Sequence, residues 1–174
     1  YHQAAGQALP AIPVGLIARV GRVGAQRLAL PLAFVRADPA DPSPSAHARL
    51  LVQEAVRQCA VDDILVLDAG FGVALLQAAG APRYVVRLAR NATFRQATPP
   101  AYGGRGRPPT RGALIRPLPR TYRGRVLPAT LPDRVETWRE ETLLLRAEIW
   151  DAVVRADADA DSPPFAVLAI HDPR

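Results

Sequence analysis

One carboxylate and one run of guanidiniums hold most of the chemistry available to this chain. Asp68 directly follows the apolar run Ile64-Leu65-Val66-Leu67 and precedes Ala69-Gly70. A carboxylate at the end of a strand, with small residues behind it, is well placed for a hard cation such as Mg²⁺, which needs oxygen ligands and room for water and phosphate. The plain alternative is an Asp that caps the Gly70 turn. The guanidiniums are concentrated: residues 83–125 carry eleven Arg and no acid, against six Arg and six acids in 1–82 and five Arg with ten acids in 126–174. Such a segment repels itself unless it is solvated or neutralised by a polyanion, and nucleic acid is the commonest partner. A solvated, arginine-biased loop is the alternative.

Other chemistries are excluded by residue type. All 22 basic residues are Arg, which removes a Walker-loop lysine and any Schiff base. The three serines, Ser43, Ser45 and Ser162, lie outside any G-x-S-x-G elbow. Cys59 is alone, and His2, His47 and His171 are too scattered for a zinc site. Asp157, Asp159 and Asp161 alternate like part of an EF-hand loop but lack its Gly and closing Glu, so they read as a solvated acidic loop. Trp138 and Trp150 read as packing residues, and His171-Asp172 as a turn before Pro173. No apolar stretch reaches membrane-spanning length and no export signal is visible, so a cytoplasmic, reducing location without membrane association is expected.

The positioning elements follow from pattern. Val14–Val20 and Leu28–Val35 flank Gly21-Arg22-Val23-Gly24 and predict a β-hairpin. Ser43 with Pro44 behind it predicts a helix start, and the apolar positions Leu51, Val52, Ala55, Val56 and Cys59 give that helix one packing face up to about Ala60. Ile64–Leu67 predicts a strand buried on both faces, Val73–Ala79 a short helix ended by Gly80, and Tyr84–Leu88 a second strand parallel to the first. In open sheets of this kind the functional crevice lies beyond the carboxyl ends of the strands, where Asp68 falls. Thr98–Arg125 reads as a long excursion, Val135–Val154 fits one helix or two strands equally, and Phe165–Ile170 predicts a last strand.

Within the excursion, Arg105-Gly106-Arg107-Pro108 resembles the AT-hook, which lays arginines into a narrow A·T minor groove where glycine permits close approach. The candidate DNA-contacting residues are Arg87, Arg90, Arg105, Arg107, Arg111, Arg116, Arg120, Arg123 and Arg125.

A wider resemblance rests on Val66-Leu67-Asp68-Ala69-Gly70-Phe71-Gly72, the short helix after it, and Tyr84-Val85-Val86-Arg87-Leu88-Ala89-Arg90-Asn91. This series resembles the D-R-G-F segment of bacterial insertion-sequence transposases of the DDE type. Arg105-Gly106-Arg107-Pro108-Pro109 and the closing Val167–Arg174 are similar to the same group, in order, over most of 28–174. The chain has Ala69 where that family usually has arginine.

The resemblance implies an α/β chain with a partial ribonuclease H-like mixed sheet. Residues 1–92 would form its core, 93–160 an arginine-rich β/loop insertion and following segment, and 161–174 a return strand. It implies that Asp68 is catalytic and metal-binding, the second of three carboxylates holding two Mg²⁺ or Mn²⁺ ions for DNA strand cleavage and transfer. It also implies double-stranded DNA, at element ends and target, as partner, and a homo-oligomeric, nucleoid-associated parent protein. Residues 1–37 contain no Asp or Glu, so the first carboxylate is expected before Tyr1 and the final Glu after Arg174. The chain then reads as the middle of a transposase and, with one carboxylate for a two-ion reaction, as inactive by itself. The rival readings are a non-enzymatic nucleic-acid-binding module or degenerate transposase remnant, and an unrelated metal-dependent phosphatase or nuclease using Asp62, Asp63 and Asp68.

Overall fold

The computed structural model describes residues 12–140, 142–159 and 161–171. The chain divides into two units, residues 1–87 and 88–174.

The first unit opens with β1 (Val14–Val23) and β2 (Gln26–Arg36), an antiparallel pair. Strand continues through Gly21 and Arg22, so the turn is Gly24-Ala25, later than the glycine spacing predicts, with Gly24 at φ +61°. Pro31 lacks an N–H for the ladder, and a register shift falls beside it, between Ile17 and Ala18 on β1. Helix α1 (Pro44–Gln58) starts where Ser43-Pro44 directs: the Ser43 hydroxyl accepts the Ala46 N–H at 3.3 Å. Its Ala46, Val52 and Ala55 are buried, while Arg49, Gln53 and Arg57 face solvent. Gly15 on β1 lies close under the Leu51 side chain of α1, which a Cβ there would displace. Then follow β3 (Leu65–Leu67), α2 (Val73–Ala78) and β4 (Tyr84–Val86), with β3 and β4 parallel and Val73 and Leu76 of α2 buried.

The expected α/β, ribonuclease H-like mixed sheet is not what this chain forms. Strands take 42% of it and helices 13%, and the sheets are small and mostly antiparallel. β1–β2 and β3–β4 are separate two-stranded sheets, so Ile64–Leu67 does not run through the centre of a larger one. The apolar run that predicted burial on both faces leaves Val66 78% exposed. Four consecutive apolar residues fit a fully buried strand and a half-covered one equally well, and only what packs over each face of the sheet distinguishes them.

The second unit holds β5 (Phe94–Gln96), β6 (Leu114–Ile115), β7 (Arg120–Tyr122), β8 (Arg125–Leu127), β9 (Arg134–Glu140), β10 (Leu143–Arg155) and β11 (Phe165–His171). Its main sheet runs β11-β10-β5-β6, with β9 also paired to β10, and all its pairings are antiparallel. β7 and β8 form a separate hairpin. Val135–Val154, equally compatible with helix or strands, forms β9 and most of β10. β11, the strand expected at the end of the chain, pairs with β10.

The core of this unit is Phe94, Ile115, Trp150, Val153 and Val167. Phe94 and Phe165 meet edge to face at 5.7 Å, and the Trp150 indole N–H donates to the Leu131 carbonyl at 3.0 Å. Between Trp150 and Val153 the register of β10 shifts, and Ala152 adopts φ +47° there. Trp150 is thus a packing residue, as its sequence setting predicts.

Candidate nucleic-acid interface

Asp68 follows β3 directly, at its carboxyl end, and its side chain is 73% exposed. Its Oδ1 accepts the Ala69 N–H at 2.7 Å and lies 3.4 Å from Arg87 Nε, just past β4. Arg87 is 77% exposed, so this pair is a surface ion pair of small energetic weight. The Phe71 N–H donates to the Asp68 carbonyl at 3.0 Å and closes the turn. The turn is thus closed by the Asp68 main chain, while its carboxylate reaches only the neighbouring N–H and Arg87.

The neighbouring acids serve local structure. Asp63 accepts the Ala60 N–H at 2.8 Å and Arg19 Nη2 at 2.6 Å. The Ala60 N–H first, and then the Arg19 guanidinium, hold its carboxyl below the usual Asp range. Arg83 donates to the Asp62 carbonyl, a backbone contact. Asp63 and Asp68 both border an open cleft of about 690 Å³, walled mainly by apolar residues of β1, α1 and β3. Cys59 lines it too, its thiol pushed up by partial burial and then by the Asp63 charge.

A hard divalent cation takes six or more oxygen ligands, and a two-ion reaction needs several shared carboxylates. Among the described residues no three His, Cys, Asp or Glu side chains group together, and Asp68 Oδ1 already faces a guanidinium and an N–H. Asp62, Asp63 and Asp68 accordingly do not constitute a ligand set.

The arginines differ in kind. In the second unit, Arg90, Arg105, Arg107, Arg111, Arg123 and Arg125 are exposed, and Arg116 and Arg120 are half-buried. Arg105 and Arg107 sit in a shaped loop: Gly104 and Gly106 take φ +78° and +77°, and the Tyr102 hydroxyl donates to the Gly106 carbonyl at 2.7 Å. Arg123 and Gly124 both have positive φ at the tip of the β7–β8 hairpin, the signature of a two-residue turn twisted to match its strands. This places Arg123 there against its own backbone preference, with its guanidinium 5.4 Å from the Tyr122 ring centroid.

None of these arginines makes an ion pair among the described residues. Four acids of the second unit are engaged elsewhere: Glu136 and Asp151 with Arg134, Glu148 with Arg146 and His171, and Asp157 with Arg155. Arg155 first, through its hydrogen bond, lowers the Asp157 carboxyl. Asp157 thus caps a turn, in keeping with a solvated acidic loop.

Two contributors escaped the sequence pattern. Arg95 lies on β5, where its Nη1 donates to the Gly112 carbonyl at 3.0 Å; the signal was its place between core Phe94 and exposed Gln96. Tyr102, next to two glycines, was legible only as part of the loop. Asp172, Pro173 and Arg174 of the closing motif lie outside the described residues. No described helix is long and apolar enough to cross a membrane. Comparison with protein-family models, curated proteins and solved structures yields no match for this chain.

Proposed function

We propose that this chain binds duplex DNA through the arginines of its second unit and serves as a DNA-contacting part of a DDE-type transposase. One observation carries the reading: between Leu88 and Arg125 every guanidinium lacks a carboxylate partner among the described residues, while Glu136, Glu148, Asp151 and Asp157, further along the chain, pair with arginines outside that segment. Positive charge left uncompensated on one stretch attracts a polyanion, and DNA phosphates release counterions when they meet it. The transposase half of the proposal rests on the resemblance around Asp68. In that setting Asp68 would be one metal-binding carboxylate of a larger set, and this chain alone would not cleave DNA.

The test is duplex binding by wild type and by the triple variant Arg105→Ala, Arg107→Ala, Arg111→Ala across a salt series. The variant should lose up to three contacts' worth of slope, about 0.9 each, and any preference for A·T-rich duplex. Wild type that does not bind duplex would overturn the assignment, and Mg²⁺-dependent nicking abolished by Asp68→Ala would overturn the statement that this chain alone does not cleave DNA. A non-enzymatic DNA-binding module is the second reading, favoured by the Arg87 pairing that occupies Asp68.

A further inference from the structure

Three arginines of the second unit are held differently from the rest. Arg95, Arg116 and Arg120 are half-buried, and the Nε of each is shielded from solvent with no hydrogen-bond partner. Two of the side chains, those of Arg95 and Arg120, are held by backbone carbonyls, and Arg116 is held through its own main chain. Arg95 Nη1 donates to the Gly112 carbonyl at 3.0 Å, and Arg120 Nη1 to the Asn91 carbonyl at 3.2 Å. Arg116 is bracketed by Thr130, whose hydroxyl accepts the Arg116 N–H at 3.0 Å and whose own N–H donates to the Arg116 carbonyl at 2.8 Å.

The fold also brings them to one stretch of chain. Arg95 is on β5; Arg116 follows Ile115, the β6 partner of Phe94; Arg120 holds Asn91, just before β5. Gly112 is tied to the same place, since a Cβ there would lie 1.9 Å from the Gln96 carbonyl oxygen.

A guanidinium that has lost hydration at Nε without gaining an acceptor carries charge the protein has not compensated. Anions meeting the free edges of such groups, spaced along this segment, would supply that compensation. Phosphate suits it best, because its tetrahedral oxygens accept the paired N–H groups of Arg. We infer that Arg95, Arg116 and Arg120 form the fixed phosphate-binding site of this chain, taking phosphodiester groups of a DNA strand. The exposed arginines of 105–111 and 123–125 add adaptable contacts around it. The inference rests on the DNA-binding reading and deepens it by naming the residues on which the backbone sits.

The experiment follows the arginine Nε–Hε signals of the ¹⁵N-labelled chain during titration with a short duplex, and separately with inorganic phosphate. The duplex should shift the Arg95, Arg116 and Arg120 signals first. The triple variant Arg95→Gln, Arg116→Gln, Arg120→Gln should weaken duplex binding about tenfold or more at 0.1 M salt and shallow the salt slope by about two to three contacts' worth. Replacing the same three by Lys should restore the slope but not the full affinity, since Lys keeps the charge and loses the fork. If the Gln variant does not fold, the wild-type titration and the Lys variant decide. Duplex binding that leaves these three signals unmoved overturns the site and spares the DNA-binding reading. Absence of duplex binding overturns both. Signals moved by inorganic phosphate but not by duplex would assign the site to a free phosphate and overturn the DNA-strand inference.

Discussion

The two units differ in how their charge is distributed. In the first, eight Arg are interspersed with six acids, and three ion pairs form among the described residues: Arg19 with Asp63, Arg57 with Glu54 and Arg87 with Asp68. What it leaves exposed is apolar surface, with Leu16, Val20, Leu28, Leu30 and Phe34 of the β1–β2 hairpin all open to solvent over small buried residues such as Ala46 and Ala55. In the second, an aromatic core is closed around Trp150, apolar residues such as Val126, Leu131 and Ile170 are exposed as well, and residues 88–125 add nine Arg with no acid among them. Apolar surface asks for polypeptide or lipid cover, whereas unmatched guanidinium asks for an anion. The second unit is therefore the one from which DNA contact is argued.

The sharpest way to break this contrast is through the core of the second unit. Trp150→Ala removes a side chain with no exposed surface and its bond to the Leu131 carbonyl, and should cost about 3–5 kcal/mol. Thermal melting checks it, and DNA affinity should fall with the folded fraction. Gly112→Ala should come next, at about 1–3 kcal/mol, because its Cβ would meet backbone that cannot yield like a flexible side chain. Chemical denaturation followed by tryptophan fluorescence reads this loss. In the opposite direction, Ala152→Gly should stabilise the unit by about 0.5–1 kcal/mol by relieving positive φ.

A smaller effect sharpens the description of the first unit. Asp63 has its carboxyl lowered in the fold by the Ala60 N–H and Arg19. A lowered folded value means the contribution is present above the unfolded Asp value, near 3.8, and is lost as pH falls through the folded value. Acid unfolding of Asp63→Asn should be less steep below about pH 4 than that of wild type. Equal acid profiles would leave the Arg19–Asp63 contact without a role in stability.

Legibility in the sequence followed the range of each signal. Ser43-Pro44 fixed the start of α1 because an N-cap is decided within one turn of chain. The succession β3, α2, β4 was readable from apolar runs separated by Gly and Pro, but the size of the sheet was not, because pairing partners are remote in sequence. Val135–Val154 fits a helix or two strands by pattern, and only the ladders between β9, β10 and β11 select the strands. The cationic segment was fully legible as charge. The shielding of Arg95, Arg116 and Arg120 was not, since it depends on Asn91, Gly112 and Thr130 being brought to them by folding.

The central claim is that unpaired arginines of the second unit bind DNA phosphates. Its most direct measurement is the dependence of duplex affinity on salt for the wild-type chain. With roughly five phosphates engaged, log K against log salt should fall with a slope of about −4 to −5. A slope near zero, or no binding at low salt, would contradict the account.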